Sequence, residues 1–277
     1  MRLSICHYSF HREVSAGNMP LEKYFRTVRE LGLDACDLHM RLTGDIDANR
    51  DTILKGLEEN GLTLSSYSFS NNFTVEDPDE RKKQIELVKQ GLRNARALGA
   101  DTARVFGGHA KSNDPAHLEE MFRIVTDALK ECVEVAEEVK VVMALENHGG
   151  MPGRGEEVVR IIEEVGSDYL RCCCDLGNFR GAAQEPPEGT RIVAPVTAYV
   201  HVKDNREVPE GRIAPRANRA YVSTVVGEGT VDVPGCLRIL KEAGYTGFVA
   251  LEYEGQEEEA TGVPKSIGYL KKVLADL

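Results

Sequence analysis

The chain has 277 residues, of which 42% are hydrophobic, and a formal net charge of −11, enough apolar material for one large core. Such acidity mismatches a phosphate backbone, so nucleic acid is not an expected partner. No stretch nears the roughly 20 apolar residues of a membrane span. Seven cysteines are an odd number, and the N-terminal apolar run is broken by His7 and His11, which together predict free thiols, no signal sequence and a cytoplasmic location.

Strand-like and helix-like segments alternate from end to end. RLSICHY precedes a helix near Leu21 to Leu31, which Gly32 stops. ACDLHM precedes a helix from about Ala48 to Asn60, closed by Gly61. LTLSSYSF leads through a polar loop to a helix over Pro78 to Leu98, where Ile85, Val88, Leu92, Ala95 and Leu98 recur every three or four positions. TARVFGG follows, then a helix over Pro115 to Val139, VVMALEN, and a helix over Glu156 to Val165. YLRCCCDL comes next. Cys172, Cys173 and Cys174 alternate between its two faces, which suits buried small hydrophobes better than one shared ion. A weakly helical stretch near Gly189 to Ala194 leads to TAYVHVK and then to the longest loop, Asp204 to Asp232, which carries Arg206, Arg212, Arg216 and Arg219. A helix near Gly235 to Ala243, the strand GFVALEY and a closing helix over Pro264 to Leu274 complete the chain.

Eight βα units predict an α/β fold, a (β/α)8 TIM barrel, as a single domain over residues 1–277. A doubly wound sheet is the rival, but the first turn, HYSFHREVSAGN, lacks G-x-G-x-x-G. In such a barrel the C-terminal strand ends carry the active site. Glu146, Asp175, His201 and Glu252 stand at the ends of four successive strands. Three carboxylates and one imidazole make an oxygen-rich site suited to one divalent ion, Mn²⁺ first, with Mg²⁺, Co²⁺ or Zn²⁺ also compatible. Such an ion would polarise adjacent hydroxyl and carbonyl oxygens of a sugar, while two carboxylates remove and return the proton between them. Each residue taken alone also reads as an ordinary polar strand end.

Period-two alternation places His148 on the side of Glu146 and Lys203 on the side of His201. His148 is a candidate for a substrate hydroxyl, or for a backbone cap beside Gly149. Lys203 reads either as a proton donor or as a salt bridge to the acids. His7 is expected as a pocket wall, and Arg206 as a substrate contact or a solvated loop charge.

In ALENHGG, CCDLGNF, YVHVKD and GEGTVDVPGCLRILKEAGYTGFVALEYEG, and in the order of its four acid and imidazole residues, the chain resembles the xylose isomerase-like TIM-barrel superfamily. That superfamily includes sugar-phosphate isomerases and epimerases, ketose 3-epimerases, inosose dehydratases and endonuclease IV. The resemblance implies a divalent metal on Glu146, Asp175, His201 and Glu252, with Glu146 and Glu252 as the acid/base pair. It departs from the free-ketose 3-epimerases at Asn178, where they carry His, at Pro152, where they carry Glu, and at Arg206, whose counterpart falls one residue later. The extra ligands of the endonuclease are not found. His148, Asn178, Lys203 and Arg206 are the expected substrate contacts, and a small-molecule carbohydrate is the expected substrate. Barrels of this kind often pair, so a homo-oligomer is expected. A metal-dependent isomerase or epimerase, a lyase acting on a keto-sugar or keto-cyclitol, and a non-catalytic sugar-binding barrel remain as readings.

Overall fold

The structure, a computed structural model, describes residues 1–277, with the side chain of Arg212 excepted. Eight strands build the wall: β1 (Arg2–Ile5), β2 (Ala35–His39), β3 (Thr63–Ser68), β4 (Thr102–Val105), β5 (Val142–Glu146), β6 (Leu170–Asp175), β7 (Thr197–Val202) and β8 (Phe248–Leu251). Six of them run in the order β1-β8-β7-β6-β5-β4, and β2 pairs with β3. All these pairings are parallel. Isolated contacts join the two arcs. The Phe69 amide donates to the Arg104 carbonyl at 3.0 Å, and the Tyr24 hydroxyl lies 3.3 and 2.9 Å from the carbonyl oxygens of Ile5 and Asp37.

Around the wall stand α1 (Leu21–Glu30), α2 (Ile46–Glu59), α3 (Pro78–Ala97), α4 (Pro115–Val139), α5 (Gly155–Val165), α6 (Pro186–Val193), α7 (Val233–Glu242) and α8 (Glu259–Asp276). Their starts are written locally. Asp45, Asp77, Asp114 and Asp232 each accept a first-turn N–H of the helix they precede, worth about 1 kcal/mol apiece. Pro78, Pro115 and Pro186 occupy first-turn positions, where the missing N–H costs nothing. On α4 the buried stripe Phe122, Val125, Leu129, Cys132 and Ala136 follows the helical period and packs on the wall.

Alternation along the strands sorts the two faces. Cys6, Ala144, Cys173, Tyr199 and Ala250 form a small cluster of their own. Leu145, Cys172, Cys174, Val200 and Leu251 join the main core shared with the helices. All seven cysteines are buried and free. The expected barrel of βα units is therefore the observed one.

Three boundaries differ from the sequence reading. The loop after β7 is not a loop throughout: Asp204–Ala214 and Arg219–Thr224 form an antiparallel hairpin with a register shift between Val208 and Ile213. Pro209 hid it, yet a two-stranded ribbon leaves an unpaired edge on which proline is tolerated. The closing helix starts at Glu259 rather than Pro264, because the buried Glu259 carboxylate accepts the backbone N–H groups of Arg12 and Glu13 at 2.9 and 3.0 Å and anchors the first turn. The helix near Gly189 begins at Pro186, a proline at its favoured helix start.

Gly262 of α8 packs directly on the Tyr253 ring, and any Cβ there would overlap it. Tyr253 follows Glu252, so this contact seats the end of β8. Gly262→Ala gains at most about 1 kcal/mol of helix propensity but forces overpacking that costs about 1–3 kcal/mol. We expect a lower midpoint of thermal unfolding by calorimetry.

Candidate metal centre

Four strands end side by side. Asp175 of β6 is in register with His201 of β7, His201 is in register with Ala250 of β8, and the Glu252 amide donates to the Val202 carbonyl at 2.9 Å. Parallel pairing at matched level sends these side chains into one space. One ligand atom from each of Glu146, Asp175, His201 and Glu252 lies within 4.8 Å of all the others, and all four residues are buried.

Most of the remaining polar atoms of this cluster are committed elsewhere. Asp175 Oδ1 accepts the backbone N–H groups of Gly177 and Asn178 at 2.9 and 2.8 Å. Glu146 Oε1 accepts from the Asn178 side chain at 3.0 Å. Asn147 donates to the Asp175 carbonyl at 2.9 Å and accepts the Asp175 amide at 2.8 Å. His201 Nε2 faces the Cys6 thiol at 3.2 Å, which turns Nδ1 toward Glu146 Oε2 at 3.4 Å and Glu252 Oε2 at 3.8 Å. Left over are Glu146 Oε2, Asp175 Oδ2, His201 Nδ1 and Glu252 Oε2, buried without a well-directed hydrogen bond. Buried polar atoms are rarely orphaned without reason. Four orphans converging as three oxygens and one nitrogen fit a divalent cation.

Positive side chains hold the cluster together. Lys203 Nζ lies 3.2 Å from Asp175 Oδ2, 2.5 Å from Glu252 Oε2 and 3.1 Å from Glu254 Oε1. Arg104 Nε lies 3.1 Å from Glu146 Oε2. Burial alone would raise Glu252, but Lys203, His201 and Arg104 hold it well below the usual carboxylate range. Glu146 is likewise held down against burial by Arg104 and His201. Asp175 goes the other way: burial, only partly offset by Lys203, pushes it up to about 8. His201 is raised to about 9 because Glu252 and Glu146 outweigh its burial.

The other expected contacts are dispersed. His148 sits just past β5, stacked on Phe106 with ring centroids 4.1 Å apart, and burial lowers it to about 4, so it is a neutral imidazole at pH 7. It walls a cavity of about 190 Å³ shared with Tyr8, Arg104, Phe106 and Glu252. On its other side it lines a cavity of about 520 Å³ with His109, Lys111, Asn178 and Arg216. Arg206 is exposed on the hairpin and lines neither cavity. His7 is fully buried against Tyr24, with ring centroids 4.3 Å apart, and lines neither cavity.

Four further residues of the site gave no clear signal in the sequence. Arg104 and Asp37 point inward from β4 and β2, and each was a charge inside a short apolar run. Glu254 lay one alternation beyond Glu252. Arg216, counted as a loop charge, is buried in a two-pronged pair with Glu157 at 2.7 and 2.8 Å, a contact across 59 residues that no local pattern announces.

Comparison with known proteins agrees with this architecture. A family profile described as "Xylose isomerase-like TIM barrel" matches residues 25–273. L-ribulose-5-phosphate 3-epimerase UlaE of Escherichia coli is 22% identical over 280 residues, covering 96% of this chain and 94% of the relative. Among solved structures, a xylose isomerase-like TIM barrel protein from Mycobacterium smegmatis, in complex with magnesium, superposes with a TM-score of 0.76 at 20% identity over 99% of this chain and 97% of the other. The 3-keto-D-glucoside 4-epimerase YcjR from E. coli superposes with a TM-score of 0.77 at 17% identity over 98% and 99%.

Proton linkage gives a test that needs no substrate. His201 binds its proton more tightly folded, at about 9, than its ordinary 6.5. Its contribution to stability is therefore full below 6.5 and lost as pH rises through about 9. Asp175, raised from 3.8 to about 8, has the same sign. The metal-free protein should lose thermal stability as pH climbs from 6.5 to about 9. A cation needs Asp175 ionised and His201 neutral, so the stabilisation on adding magnesium should grow over the same window. Melting curves with and without magnesium across that range check both signs.

Proposed function

Because the chain belongs to the xylose isomerase-like TIM-barrel family, we propose that it is a divalent-metal-dependent epimerase or isomerase of a small sugar or sugar derivative. The observation that carries this reading is the pair Glu146 and Glu252, converging with Asp175 and His201, with Glu252 lining a cavity of about 190 Å³ at the barrel mouth. The name of UlaE, an L-ribulose-5-phosphate 3-epimerase, and the magnesium in the Mycobacterium structure support it.

Glu146, Asp175, His201 and Glu252 would hold the ion, which as a Lewis acid supplies stabilisation of charge developing on a carbonyl oxygen. The chain's own residues do the proton work. Glu146, kept ionised by Arg104, takes the proton from the carbon next to the carbonyl, and the C–H electron pair passes into an enediolate. Lys203, whose Nζ lies 2.5 Å from Glu252 Oε2, holds that carboxylate in place, and Glu252 relays a proton from solvent to the opposite face of that carbon. Glu146 then returns its proton to solvent. Return to the opposite face gives the epimer, and return to the neighbouring carbon gives the isomer. His148, uncharged, offers a substrate hydroxyl a hydrogen bond without competing for the proton. The larger cavity beyond it accommodates a substituent, so phosphorylated and free ketoses are both to be tried.

Incubation in D₂O with ketoses, ketose phosphates and keto-cyclitols tests the reading. We expect one substrate to gain carbon-bound deuterium while keeping its formula, and Glu146→Gln or Glu252→Gln to slow this roughly 100- to 10,000-fold. Loss of water or of an aglycone would make the protein a lyase using the same base. Undiminished exchange in both variants would remove these glutamates from the proton transfer, and binding of a sugar with neither exchange nor elimination would leave only a sugar-binding barrel.

A further inference from the structure

Arg104 plays no part as acid or base above, yet burying it is costly. It is 2% exposed, and it sits on β4 in register with Ala144 of β5. A buried guanidinium costs several kcal/mol unless its charge and donors are matched. Here the match is partial. Nη1 donates to the Phe69 carbonyl at 2.6 Å. Nε is 3.1 Å from Glu146 Oε2 but badly aimed for a hydrogen bond. Nη2 has no hydrogen-bond partner among the described residues. The guanidinium sits over the Phe106 ring, its Cζ 3.8 Å from the centroid. With Phe106, Glu252 and His148 it lines the cavity at the barrel mouth.

A residue serving only to neutralise Glu146 would be expected to grip both carboxylate oxygens, as Arg216 grips Glu157. Arg104 touches one oxygen edgewise and is braced by a backbone carbonyl and an aromatic face. That leaves a fixed donor at a cavity wall beside the residue that takes the proton.

We propose that Arg104 is a catalytic residue whose Nη2 donates to the substrate oxygen that gathers negative charge when the adjacent C–H is deprotonated. The proposal rests on the enediolate reading above and names the group that receives the charge on the β4 side. A guanidinium suits the task because it never releases its own proton, so it stabilises the oxyanion and leaves proton traffic to the carboxylates. Its bracing means no reorganisation accompanies charge development, the condition under which such donors are most effective.

Calorimetric titration of glycolohydroxamate, a planar enediolate mimic, into the magnesium-saturated protein reads the contact. Arg104→Met should bind the mimic roughly 100-fold more weakly. Its affinity for magnesium alone should hold or tighten, because a positive charge has left the side of Glu146. Arg104→Lys, which keeps the charge but not the planar fork, should retain magnesium affinity without recovering full mimic binding, and it serves if the Met variant does not fold. Wild-type mimic affinity in these variants, or no mimic binding by the wild type, overturns the proposal. So does a parallel loss of magnesium and mimic affinity, which marks a residue that only seats Glu146. An Arg104-dependent mimic contact without deuterium exchange on any sugar would sink the epimerase reading instead, leaving Arg104 as an oxyanion donor.

Discussion

Three carboxylates buried within a few ångströms of each other repel, and the barrel mouth is arranged around that repulsion. Glu146, Asp175 and Glu252 are all buried, in a medium where unpaired charges cost several kcal/mol each. Positive charge is brought in from three directions: Arg104 from β4, His201 from β7 and Lys203 just beyond it. Their reach is uneven. Glu146 and Glu252 stay ionised, whereas burial, only partly offset by Lys203, pushes Asp175 up to about 8. Asp175 is the acid left under-compensated, and a divalent cation on the four ligand atoms would supply the missing charge.

The fold supplies that cluster with its geometry. Parallel register fixes the height of each strand end, and Ala144, Cys173 and Ala250 beneath the acids leave room for Tyr199 and His201 to stand inward. Asn147 ties the end of β5 to the end of β6, and Asn178 ties Glu146 to the turn after β6. Asn178 was expected as a substrate contact. Its amide is already spent on the Glu146 carboxylate, so it positions the proposed base while also facing the larger cavity.

Much of this was legible in one dimension. Glu146, Asp175, His201 and Glu252 each close an apolar run, so alternation and the barrel's polarity place them on one face. The helix starts at Pro78 and Pro115 were legible, each a proline directly behind an Asp cap, whereas the start at Pro186, which has no Asp before it, was placed three residues late. Arg104 was passed over because TARV reads as a strand core, where a single charge looks like an outward residue. Only the register with Ala144 turns it inward. Asp37 was hidden in ACDLHM for the same reason. The hairpin after β7 and the Arg216–Glu157 pair depend on partners distant in sequence, and proline within the run masked the alternation that strand residues would show.

The proposed chemistry depends on a cation held by the four strand-end residues. Titrating Mn²⁺ into the metal-free protein by calorimetry, alongside Asp175→Asn, tests it most directly. One ion per chain is expected, with affinity falling by more than about tenfold in the variant. No binding by the wild type, or equal binding by Asp175→Asn, would contradict it.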